Sequence, residues 1–217
     1  LDNVAHDLRT PLTRLRGTAE LALQPGTDAE GAREALADCV EESERVLEML
    51  NTLMDIAEAE SGTMKLQKER VDLCQLVREA VELYEYVADE RKVVVKTELP
   101  KTCEAQVDRK RIRQVFANLL DNAIKYTPPN GTVTISIQDV GDRAITHFRD
   151  TGIGISTSEQ NKIWARLYRG DKSRSERGLG LGLSLVKAVV EAHHGQVAVT
   201  SQPDAGSDFA VELPKNC

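Results

Sequence analysis

Asn118-Leu119-Leu120-Asp121-Asn122-Ala123-Ile124-Lys125-Tyr126 places two carboxamides four residues apart, with a lysine and a tyrosine following. On a helix Asn118 and Asn122 share one face, while Val115, Leu119 and Ile124 make another face apolar. A buried carboxamide needs several hydrogen bonds, so a pair of them is a poor way to build a core. As neutral oxygen donors they suit Mg2+, which keeps several waters and shares itself between few protein groups and phosphates. Lys125 stands in position to pair with a phosphate, and Tyr126 offers a flat face to a purine. An isolated N-x-x-x-N facing water is the ordinary alternative, and the rest of the chain decides against it.

Two glycine clusters follow. Asp150-Thr151-Gly152-Ile153-Gly154 comes after a predicted strand. A carboxylate there can accept from an exocyclic amino group and so tell adenine from guanine; such a charge-assisted bond is worth about 1.5–3 kcal/mol. Gly152 and Gly154 let the backbone bend and approach the base. Gly178-Leu179-Gly180-Leu181-Gly182 precedes a predicted helix, so free N–H groups and the helix dipole favour phosphate. No GK[ST] follows, which excludes a Walker loop, and the spacing is not that of a dinucleotide fingerprint. Between the clusters, residues 168–177 are polar and basic, reading as a lid over a triphosphate with Arg169 as its phosphate contact.

At the other end stands His6-Asp7-Leu8-Arg9-Thr10-Pro11-Leu12. His6 and Thr10 share a helical face, and Asp7 adjoins the imidazole. Pro11 lacks an N–H, so the carbonyl of Asp7 loses its helical partner and a bend is expected one turn past His6. An imidazole with a pKa near 6.5 is largely neutral at pH 7 and keeps one ring nitrogen free to attack. Asp7 can bond the other ring N–H and fix the tautomer. Alone, a His-Asp pair is an ordinary exposed dipeptide. Joined to a nucleotide site downstream, it is an acceptor for a phosphoryl group.

The periodicities divide the chain. Residues 3–24 predict one helix, broken at Gln24-Pro25-Gly26-Thr27, with Asp28 capping the next. Leu36, Cys39, Ser43, Val46, Leu50, Leu53 and Ala57 are spaced alternately three and four, widened by Val40, Leu47 and Met54 at sevens. That heptad seam cannot be buried by two helices alone, and a four-helix bundle made by two copies is the economical solution. Beyond Ser61-Gly62 strands are expected at 64–71, 93–99, 104–108, 132–138, 143–148, 196–201 and 208–213, with helices at 73–91, 109–126 and 181–193. The fold class is therefore α+β: a helical hairpin (1–61) forming a dimeric four-helix bundle, then an α/β sandwich (62–217) with helices on one face of a mixed sheet.

The chain has 217 residues, a formal net charge of −7 and only 4% aromatics, so its cores must be mainly aliphatic. The acidity argues against nucleic acid as a partner. Cys39, Cys74, Cys103 and Cys217 form no CxxC pair, which favours a reducing, cytoplasmic setting over a zinc or disulfide framework. No run crosses a bilayer. Lacking an initiator methionine and opening almost on His6, the sequence reads as part of something longer.

With these motifs in this order, the chain resembles the transmitter region of two-component sensor histidine kinases. His6–Leu12 matches the H-box and Asn118–Tyr126 the N-box. Asp150–Gly154 matches the G1 box, Ile163–Arg169 the F-box and Gly178–Gly182 the G2 box. The resemblance implies a phosphoacceptor and dimerisation hairpin, then an ATP-binding domain of the Bergerat fold. It implies Mg2+–ATP held by Asn122 with Asn118, adenine read by Asp150, and attack by His6 with help from Asp7. It further implies transfer to an aspartate on a response regulator receiver domain, and Thr10-dependent dephosphorylation of that regulator. The parent protein is expected to be membrane-anchored, with this portion at the inner face of the membrane but making no membrane contact. Two departures stand out. Trp164 and Leu167 occupy positions where the F-box usually carries phenylalanine, and Asp208 puts an unusual charge near the nucleotide end. A chaperone-like or mismatch-repair-like ATPase would share the Asn, Asp and Gly motifs but has no use for His6; a non-catalytic scaffold would be expected to lose Asn122 or the glycines.

Overall fold

A computed structural model of the chain describes residues 2–24, 28–170 and 180–216, with side chains from residue 9 onward. It contains two compact units, residues 1–55 and 56–217.

The first unit is built from α1 (Asp2–Ala22) and most of α2 (Ala29–Glu60). Asp28 caps α2 as expected, its Oδ1 accepting the Gly31 N–H at 2.8 Å. Pro11 lies inside α1 without ending it. The Cys39 thiol lies 3.5 Å from the Leu15 carbonyl, one contact between the two helices. The widening residues of the heptad seam stay uncovered: Val40, Leu47 and Met54 are 58%, 56% and 60% exposed.

In the second unit, β1 (Lys68–Asp72) and β3 (Glu104–Asp108) form a separate antiparallel pair. The main sheet contains β2 (Val94–Glu98), β4 (Thr132–Val140), β5 (Arg143–Asp150), β6 (Gln196–Ser201) and β7 (Ser207–Pro214), in the order β2-β4-β5-β7-β6. Only β2 and β4 run parallel, so the sheet is mixed as expected. The strand expected at 64–71 starts only at Lys68, because hydrogen bonds elsewhere take the earlier N–H groups. Those of Thr63 and Met64 bond the Glu58 carbonyl, and that of Gln67 bonds the Asp108 carboxylate.

Helices α3 (Leu73–Glu90), α4 (Arg109–Tyr126) and α6 (Gly182–Ala192) supply the layer over this sheet, and α5 (Thr157–Gln160) is a single turn. Strand alternation buries Val133, Ile135 and Ile137 on β4 with Ala144 and Phe148 on β5. Against them pack Leu76 and Val77 of α3, Ile112, Val115, Phe116 and Leu119 of α4, and Leu185 and Val189 of α6. Each such side chain is worth about 1.5–3 kcal/mol when fully buried. Phe116 and Phe148 meet at 5.4 Å between ring centroids, locking α4 onto β5. That lock sets the C-terminal half of α4 beside the end of β5, where Asp150 stands.

Candidate nucleotide site

Asp150 is the last residue of β5 and only 6% exposed. Its Oδ1 accepts the N–H groups of Gly152 at 2.7 Å and Ser207 at 3.2 Å. Burial pushes the carboxyl pKa up, and those two N–H groups pull it back; the charge of Asp208 adds to the rise. Oδ2 accepts no hydrogen bond from the described residues, so one acceptor of a buried carboxylate is left for a ligand. Gly152 is required beside it: a Cβ there would lie 2.4 Å from the Tyr126 carbonyl and 2.7 Å from Asp150 Oδ1. The Ile153 N–H bonds that same Tyr126 carbonyl, tying the loop to the end of α4.

α4 and α6 converge on the other side of the site. Asn118 donates through Nδ2 to the Gln114 carbonyl at 2.9 Å, which orients its amide. A Cβ at Gly182 would lie 2.8 Å from Asn118 Oδ1 and 3.9 Å from Asn122 Nδ2. The glycine that opens α6 therefore sits directly on the two carboxamides, as the sequence grouped them. At the end of α4, Arg91 donates to the Lys125 carbonyl, and the Lys125 ammonium lies 5.2 Å from the Tyr126 ring centroid. The residues assigned to phosphate and to purine are thus coupled to each other. Among the described residues no cluster of three or more His, Cys, Asp or Glu side chains could hold a metal ion. A divalent cation here would rest on the neutral oxygens of Asn122 and Asn118 and on phosphate.

Several supports carried no sequence signal strong enough to be assigned to the site. Gly206 adopts φ +84°, and a Cβ there would sit 2.0 Å from the Asp150 carbonyl oxygen. Its glycine-serine pair at the start of β7 is the trace such a signal leaves. Gly154, by contrast, was assigned from its motif; at φ +64° it passes so close to Gln202 that a Cβ would lie 1.9 Å from that carbonyl oxygen. Ser201 Oγ accepts the Ile155 N–H, and Gln160 donates to the carbonyls of Ile155 and Ser201. The loop from 151 to 156 is therefore held from three sides.

The segment 163–169 shows what its departures do. Trp164 packs edge-on against Phe209 with centroids 6.0 Å apart. Leu167, at φ +60°, bonds through its N–H to the carbonyl of Gly180, itself at φ +68°. Tyr168 donates to Glu159. Arg169 is half-buried at the edge of the described residues. The charge of Asp208, expected near the nucleotide end, belongs to the sheet face opposite the buried Ser207 and Phe209. It is bound by His147 at 3.0 Å and Arg149 at 2.8 Å. Leu181 is buried and precedes α6. Gly178 and Leu179 lie outside the described residues, as do residues 171–177 of the expected lid and the side chains of His6 and Asp7, whose backbones belong to α1. Thr10 is exposed one turn further along that helix.

Comparison with known proteins supplies the family. Residues 1–62 match the family described as "His Kinase A (phospho-acceptor) domain", and residues 107–216 match "Histidine kinase-, DNA gyrase B-, and HSP90-like ATPase". The circadian input-output histidine kinase CikA of Synechococcus elongatus is 35% identical over 222 residues, covering 99% of this chain and 29% of that protein. The sensor-like histidine kinase SenX3 of Mycolicibacterium smegmatis is 32% identical over 215 residues, covering 98% of this chain and 56% of that protein. The chain thus spans about half or less of these relatives. Among solved structures, Acinetobacter baumannii histidine kinase AdeS superposes with a TM-score of 0.76 at 26% identity, covering 98% of both chains. With a helical hairpin that matches the phospho-acceptor family ahead of a sheet domain that matches the histidine kinase-, gyrase B- and HSP90-like ATPases, the chain belongs to the two-component sensor histidine kinases, of which it is a transmitter region.

Proposed function

We propose that this chain carries out ATP-dependent phosphorylation of its own His6 and passes the phosphoryl group to an aspartate on a response regulator receiver domain. The observation that carries the reading is the meeting of Gly182 with Asn118 and Asn122 beside a buried Asp150 whose Oδ2 has no partner among the described residues. A purine amino group satisfies that oxygen. The backbone N–H groups that open α6, which Gly182 brings against Asn118 and Asn122, suit a phosphate chain. Asn122 and Asn118 would hold Mg2+, which when bound would supply positive charge to neutralise that developing on the phosphates. Lys125, Arg169 and the glycines at 178, 180 and 182, with Leu181, complete the phosphate side of the site.

In the proposed reaction a neutral ring nitrogen of His6 forms a bond to the γ-phosphorus as the β–γ bridging bond breaks, and ADP leaves. Asp7 holds the other ring N–H and so presents the free lone pair. Residues 1–61 are the phosphoacceptor and dimerisation unit, and residues 62–217 the ATP unit. The exposed stripe on α2 supports a homodimer as the working form. Thr10, one turn past His6, positions water for dephosphorylating the regulator. In the parent protein this portion lies on the cytoplasmic side of the membrane; no described helix is long and apolar enough to cross one.

The test is γ-labelled ATP followed by acid and base treatment. Wild type is expected to acquire an acid-labile, base-stable label. His6→Gln is expected to lose all label while binding the nucleotide within about threefold of wild type, since its ring contributes nothing to the adenine site. Steady ATP turnover with no protein label would instead favour a conformational ATPase of the wider superfamily.

A further inference from the structure

α4 opens with Arg109-Lys110-Arg111-Ile112-Arg113, four cations in five residues, at the end of a helix where positive charge is least favoured. Arg109 and Arg113, four residues apart, also repel one another. Glu79 takes Arg109 at 2.6 Å. Both oxygens of Asp108 are spent on backbone, Oδ1 on the Arg111 N–H and Oδ2 on the Gln67 N–H. Lys68, Lys110 and Arg113 have no ion-pair partner among the described residues.

These cations are gathered on a cavity. A groove of about 580 Å³ between β1 and the first turns of α4 is lined by Gln67, Lys68, Glu69, Asp108, Arg109, Lys110 and Arg113. Register places Lys68 directly opposite Asp108, so β1 brings its lysine to the helical cations. Four cations against two carboxylates invert, in this groove, the −7 balance of the whole chain. The groove is separate from the nucleotide site: Lys110 and Arg113 stand roughly 80° and 140° around the helix from Asn118.

We propose that this groove is a second anion site, taking a small multivalent phosphate. Arg109 to Arg113 span about 6 Å of helix. A phosphate chain presents several charged oxygens within that distance, whereas an extended acidic peptide offers same-side carboxylates about 7 Å apart and would meet fewer of the cations. Arginine forks and lysine ammonium groups both bind phosphate oxygens through charge-assisted bonds.

The test is a titration of the isotope-labelled full chain with inorganic tripolyphosphate at low salt, followed by amide chemical shifts. Saturable shifts are expected at Lys68, Glu69 and Lys110–Arg113, and they are expected to persist when a non-hydrolysable ATP analogue saturates the nucleotide site. Lys110→Glu with Arg113→Glu should weaken the binding at least about tenfold, and the milder Lys110→Gln with Arg113→Gln about threefold, with well-dispersed spectra showing that both variants fold. If the analogue alone produces the groove shifts, the phosphate is the nucleotide's own chain bound at a second position. The proposal is overturned by shifts confined to residues 118–126 and 150–154, by unchanged affinity in both double variants, or by a response to polyglutamate with none to tripolyphosphate.

Discussion

His193 is 1% exposed, yet both of its ring nitrogens are bonded to backbone. Nε2 accepts the Asp108 N–H at 3.0 Å and Nδ1 donates to the Val189 carbonyl at 2.8 Å. Only the neutral ring satisfies both, because a second proton would set Nε2 against an N–H. Burial pushes this pKa below 6.5, helped by the nearby Lys68 and His194; the Val189 carbonyl and the Asp108 charge oppose it. The unfolded chain therefore binds the proton more tightly than the folded one, and the stability present above pH 6.5 is lost as pH falls through the depressed folded value. A tenfold difference in proton affinity is worth about 1.4 kcal/mol. In urea unfolding between pH 7.5 and 5, we expect wild type to lose stability and His193→Gln to show a flatter profile, from a lower starting point. Parallel profiles would remove the assignment. Nothing in the sequence marked His193, since a histidine at the end of an apolar helix has no spacing signal; its partner is 85 residues away. Asp150 was legible because its partner Gly152 is only two residues on, inside the same motif.

At the scale of elements, the site depends on how closely α6 meets α4, and Gly182 sets that distance. Gly182→Ala would put a methyl 2.8 Å from Asn118 Oδ1. Since Gly182 is not at positive φ, the backbone tolerates the alanine, and the strain falls on the asparagine. We expect Gly182→Ala to fold, with a free energy of unfolding within about 1 kcal/mol of wild type. Its nucleotide affinity should fall roughly tenfold to a hundredfold, the range expected when a positioned ligand group is displaced. Calorimetric titration with an ATP analogue and Mg2+ measures it, and unchanged affinity would detach Asn118 from the site. The elements flanking this contact were readable because their periodicity is long: eighteen residues of α4 and the alternation of β4 and β5. The late start of β1 and the single turn of α5 were not. Hydrogen bonds accepted by Glu58 and Asp108 decide the first, and Thr157–Gln160 is too short to show a period.

For the whole molecule, the sequence was most informative where order mattered, joining a histidine on the first helix to a nucleotide site in the second unit. It was least informative about what covers the hairpin, because heptads state that a seam exists without stating what fills it. Leu36, Val40, Leu47, Leu50 and Met54 are all at least 40% exposed in the single chain, aligned along one helix. An apolar stripe of this length left in water costs about 25 cal/mol for each Å². A second copy related by twofold symmetry presents the same stripe and can cover both at once. Leu47→Lys with Met54→Lys would place four charges in that interface, two from each copy. We expect light scattering to give twice the 23.9 kDa chain mass for wild type and a monomer, or a dimer weakened at least about 100-fold, for the variant. Nucleotide binding should survive in the monomer, because Asn118, Asn122, Asp150 and Gly182 all belong to residues 56–217. Phosphorylation of His6 then separates two arrangements. If one subunit modifies the other, labelling in the variant becomes dependent on protein concentration; if each modifies itself, it does not. A wild-type chain that scatters as a monomer at micromolar concentration would show that the stripe serves something other than a second copy.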